Sequence, residues 1–73
     1  MELSTSEHEA ILNIEKETSI AIEDAFFGDY YGQEVYKLWT NSIETTKKFH
    51  NALLEKGFNP NKTLLDNCLI RFF

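Results

Sequence analysis

Between Phe26 and Trp39 the chain reads FFGDYYGQEVYKLW, which gathers six of the ten aromatic residues and two of the three glycines into fourteen positions. Such density marks a corner, a place where the chain turns and bulky side chains lock the turn. On both sides the apolar residues recur at steps of three and four. One stripe, before the corner, is Ile11, Ile14, Thr18, Ala21, Ile22 and Ala25; the other, starting within it, is Val35, Leu38, Trp39, Ser42, Ile43, Thr46, Phe49 and Leu53, with Thr18, Ser42 and Thr46 as small polar members. This is the period of an amphipathic helix. The expected fold is therefore all-α, with helix 1 over about 6–27 and helix 2 over about 33–56 forming a long antiparallel hairpin.

Capping signals agree with this outline. Ser4 with Glu7, and Ser6 with Glu9, both fit the S-x-x-E capping box at the start of helix 1. Gly28 and Asp29 are placed to end it. Gly57 suits the position after helix 2, with Phe58 folding back on Leu53 in the Schellman manner. Asn59 as N-cap and Pro60 at the first helical position then open a third helix over about 60–72.

Seven of the last ten residues are apolar, an arc too wide for a helix lying on one surface. A chain of 73 residues is also short of core, and Cys68 is its only cysteine, so no internal disulfide can compensate. His8 and His50 have no second ligand at a metal-binding spacing. Both points lead to a single domain, 1–73, completed by a second protomer, with Leu65, Leu69, Phe72 and Phe73 at the interface.

Charge is divided along the chain. Residues 1–34 hold nine acids against Lys16, a balance of −8; residues 35–73 hold six basic residues against Glu44, Glu55 and Asp66, a balance of +3. The net charge of −5 opposes direct binding to nucleic acid or an anionic bilayer. The N-terminus carries no basic and apolar leader pattern, and no apolar run is long enough to span a membrane, so the expected location is cytoplasmic.

No phosphate-binding glycine loop, C-x-x-C, H-E-x-x-H or G-x-S-x-G occurs, and neither a cofactor nor a metal is expected. Cys68 with His50 could form a nucleophile and base, but Cys68 lies in the most apolar segment, where a thiol is inert. The expected function is a non-enzymatic interaction module that binds and modulates or inhibits a protein partner, a basic or nucleic-acid-binding one given the acidic half. Ile20 and Phe27 fall opposite the apolar stripe of helix 1, among acids, so the candidate contacts are Ile20, Glu23, Asp24, Phe27, Tyr30 and Tyr31. The alternative is a homo-oligomer that sequesters a small anionic or nucleotide-like ligand between protomers, held by Tyr30, Tyr31, Lys37 and Arg71. Whether Glu15 and His50 meet in the polar middle of the hairpin is left open by the sequence.

Overall fold

The computed structural model describes residues 3–73. Its elements are α1 (Thr5–Thr18), β1 (Asp24–Tyr30), β2 (Gln33–Trp39), α2 (Ile43–Glu55), a 3₁₀ turn (Pro60–Lys62), β3 (Thr63–Asp66) and β4 (Leu69–Phe72). The four strands form one antiparallel sheet in the order β1-β2-β4-β3. The architecture is α+β, and the all-α expectation is wrong.

Helix 1 begins as the capping box requires: Ser4 Oγ accepts the Glu7 backbone N–H at 3.2 Å, and the Glu7 carboxylate accepts the Ser4 N–H at 2.9 Å. It stops nine residues early, because Ser19 turns into the left-handed region at φ 58°. Thr18 helps it stop. Its hydroxyl donates to the Ile14 carbonyl at 2.6 Å and accepts the Ile20 N–H at 3.3 Å, a local bond that competes with the helical ladder. Beyond this point Ala21, Ile22 and Ala25 match a helical period by coincidence. The chain from Asp24 is a strand.

The aromatic corner is a β-hairpin. Tyr30 pairs with Gln33, leaving Tyr31 and Gly32 as a two-residue loop, and both have positive φ, 50° and 82°. That is the type I′ geometry whose twist matches the flanking strands. The expected helix 2 is consequently two elements, β2 and α2. Ser42 separates them as the N-cap of α2, accepting the Thr45 N–H at 3.2 Å. The same junction is closed by hydroxyls: Thr46 donates to the Ser42 carbonyl at 2.7 Å, and Thr40 Oγ1 lies 2.7 Å from Thr46 Oγ1.

At its far end α2 closes as the residues indicate. The Phe58 N–H reaches the Leu53 carbonyl at 3.1 Å, the Gly57 N–H reaches that of Leu54 at 3.1 Å, and Gly57 has φ 99°. Asn59 caps the 3₁₀ turn, accepting the Asn61 N–H at 2.9 Å, but only three residues are helical there. In place of helix 3 stands the β3–β4 hairpin, looped by Asn67 and Cys68 with Asn67 at φ 53°. The wide apolar arc of the last ten residues is the two faces of a strand.

Both helices lie on one side of the sheet. Ile11 and Ile14 from α1, Phe49 and Leu53 from α2, and Leu38, Ile70 and Phe72 from the sheet form one core, into which Leu3 and Ile20 also pack. Phe58, Leu65 and Tyr36 pack at its margin. With the third helix gone, Phe72 and Leu65 are covered within a single chain, and a second protomer is no longer needed to bury them.

Glu15 and His50 find separate partners. The Glu15 carboxylate accepts the Ile22 N–H at 2.8 Å and ties the α1–β1 connection, while His50 Nε2 lies 2.9 Å from Thr63 Oγ1. Burial pushes the His50 pKa below the usual imidazole value, since the charged ring loses solvent. A base whose folded pKa is depressed stabilises the fold fully above the unfolded value, about 6.5, and that contribution is lost as pH falls through the folded pKa. Stability is therefore expected to fall on acidification from pH 7.5 to 5.5. His50→Gln should flatten that stretch, as urea midpoints at the two pH values would show; equal slopes in both proteins would refute the assignment.

Candidate functional site

A strand places alternate side chains on opposite faces, so the pairing register assigns every sheet residue to a side. On the helix side stand Ala25, Phe27, Tyr36, Leu38, Ile70, Phe72, Leu65 and Thr63. The other face has no helix. Across its middle run Phe26, Lys37, Arg71 and Leu64 in one paired row, flanked by a row of Asp24, Trp39, Leu69 and Asp66. Val35 and Gly28 occupy the next row, then Tyr30 opposite Gln33.

This face is apolar and aromatic. Phe26 and Trp39 stack with ring centroids 5.0 Å apart at 27°. Tyr30 meets Phe73 edge-on at 5.4 Å and Tyr31 at 4.7 Å. Val35, on this face of the inner strand β2, is fully buried without belonging to the main core. Phe26, Leu64 and Tyr31 stay exposed, Tyr31 almost wholly so at 92%.

Two cations lie among these rings. Arg71 places its guanidinium carbon 4.6 Å above the centre of the Tyr30 ring and donates from Nη1 to Asp66 at 3.2 Å. Its Nε is buried and donates to nothing among the described residues. Lys37 lies flat across the strand surface, where Gly28 has no side chain. A Cβ at residue 28 would come within 3.0 Å of Lys37 Cε and 3.1 Å of Nζ. Lys37 makes no ion pair among the described residues.

The residues expected to contact a partner are scattered by the fold. Ile20 is in the core, 8% exposed. Phe27 is exposed but sits on the helix side, beside Tyr36 at 5.1 Å. Glu23 immediately precedes the strand, and only Asp24, Tyr30 and Tyr31 belong to the helix-free face and its rim. The acids of the first half are likewise dispersed over α1, β1 and β2, with Glu2 outside the described residues, so they form no single charged ladder. Of the four expected oligomer contacts, Phe72 and Leu65 face the core, while Leu69 and Phe73 face the open side.

The set named for a small ligand fares differently. Tyr30, Tyr31, Lys37 and Arg71 come together at one side of the open face. Helical periodicity misses Trp39, which the stripe of helix 2 assigns to a core and strand alternation assigns to this surface, and it singles out neither Phe26 nor Leu64 as a contact. Among the described residues no group of three His, Cys, Asp or Glu is placed to hold a metal, and no helix is long and apolar enough to cross a membrane. No protein-family model, curated protein or solved structure matches the chain.

Proposed function

We propose that this protein is a non-enzymatic binding module that engages a macromolecular partner through the helix-free face of its sheet. The observation that carries this reading is the composition of that face. A sheet buried on one side normally turns polar residues outward, yet here Phe26, Trp39, Leu64, Tyr30 and Phe73 face away from the helices. Tyrosine, tryptophan and arginine dominate interface hot spots because they combine wide apolar contact with a polar end. The three arise together around β2. Modulation or inhibition of the partner would result from occupying its contact surface, without chemistry.

The test compares capture of partners in the native host by three forms of the protein. A Phe26→Ala/Tyr31→Ala double variant should lose the partner, at least tenfold in recovered amount, because each ring is exposed and contributes little to the core. Leu12→Ala, which changes an exposed apolar residue on α1, should retain it. A partner held equally by the double variant and lost by Leu12→Ala would move the site to the helices.

A further inference from the structure

We infer that the Lys37–Arg71 pair is an anion site, and that the open face takes a nucleoside monophosphate, its phosphate on the two cations and its base against the exposed Phe26 ring. The inference rests on the helix-free face being the contact surface and adds the chemistry of one occupant.

Four features combine. First, Lys37 and Arg71 are direct cross-strand partners on the open face, and both side chains reach toward β1, the Lys37 ammonium beside Gly28 and the Arg71 guanidinium over the Tyr30 ring two residues on; like charges paired across strands cost stability. Asp66 pairs with Arg71, and Lys37 makes no ion pair among the described residues. Second, the guanidinium spends a single N–H on Asp66, so N–H donors are left over in a group with five. Third, it is already held in place, clamped between Asp66 and the Tyr30 ring with its side chain only 15% exposed, so little ordering remains to be done when an anion arrives. Fourth, Gly28 interrupts a strand where any larger residue would suit the sheet better, and the space it leaves is filled by the Lys37 stem. The glycine sets where the ammonium lies.

Size and charge choose the occupant. A net charge of −5 repels a polyanion, which opposes a long nucleic acid, whereas a single phosphate monoester, about −1.5 to −2 at pH 7, calls only for the two cations of this row. The flanking Phe26 ring, 45% exposed and backed by Trp39, is a stacking platform that tolerates any base. A bare inorganic anion would leave this platform unused.

Amide chemical-shift titration of the whole chain with AMP, GMP, CMP and UMP, with the four nucleosides and with inorganic phosphate tests the inference. At least one monophosphate should bind, shifting the amides of Phe26, Lys37 and Arg71. The matching nucleoside and phosphate alone should each bind about tenfold more weakly or worse, the worth of one charge-assisted bond or one stacked base. Lys37→Gln should weaken the monophosphate about tenfold. Gly28→Val should do the same by pushing the Lys37 stem aside, with an unchanged or higher melting temperature. The inference is overturned if none of the four binds at millimolar concentration, if phosphate alone binds as tightly, or if both variants bind like the original. Partner capture uses no nucleotide, so the failure of this inference and that of the broader reading separate cleanly.

Discussion

Phe49→Ala is expected to unfold the protein or bring it to the edge of unfolding. Phe49 is fully buried in α2, in one core cluster with Ile11 and Ile14 of the first helix and Leu38 and Ile70 of the sheet. Truncating such a side chain removes its transfer free energy and leaves a cavity, about 3–5 kcal/mol together. A chain of 73 residues holds only roughly 4–11 kcal/mol in total. Urea denaturation monitored by circular dichroism reads the outcome directly. A loss below about 1 kcal/mol would mean that Phe49 is not at the centre of the core.

The second large effect contrasts two neighbours. Phe72 is 1% exposed, with its ring 5.9 Å from that of Phe58 and 5.8 Å from that of Tyr36, beneath the end of α2. Phe73 is half-buried on the other side of the sheet. Phe72→Ala should therefore cost about 3–5 kcal/mol, whereas Phe73→Ala should cost about 1–2 kcal/mol, the share of a side chain only partly removed from water. Denaturation of both variants settles it. Equal losses would contradict the alternation of β4, the same alternation that puts Arg71 on the open face.

Several local signals in the sequence were truer than its period, although Gly28 and Asp29, placed to end helix 1, lie inside β1. The Ser4–Glu7 box, the Gly57–Phe58 ending and the Asn59–Pro60 entry all form as their residues require, since a cap depends on a few neighbouring atoms. The reversal near residue 30 was legible too, along with its antiparallel sense. What the period concealed was the element type. A strand announces itself by alternation of apolar and polar residues, and in β2 and β4 both faces are apolar: Val35 and Trp39 on one side of β2, Leu38 and Tyr36 on the other. Without alternation, Val35, Leu38 and Trp39 imitate a helical stripe. The aromatic and β-branched enrichment from Phe26 to Trp39 was the signal that opposed it. The concealment and the candidate site have one cause: apolar residues on the uncovered face hid the strands and make that face suited to binding.

The strand order carries a symmetry as well. The elements run α1-β1-β2 and then α2-β3-β4, and exchanging the two halves turns β1-β2-β4-β3 into the same order read from the opposite edge. Each half is a helix joined to a hairpin with a two-residue loop, and β2 meets β4 antiparallel along the line that relates them. A two-fold dimer of a half-length chain would have this topology. Lys37 comes from the first half and Arg71 from the second, so the paired cations straddle a join, much as ligand sites in symmetric dimers straddle the contact between subunits.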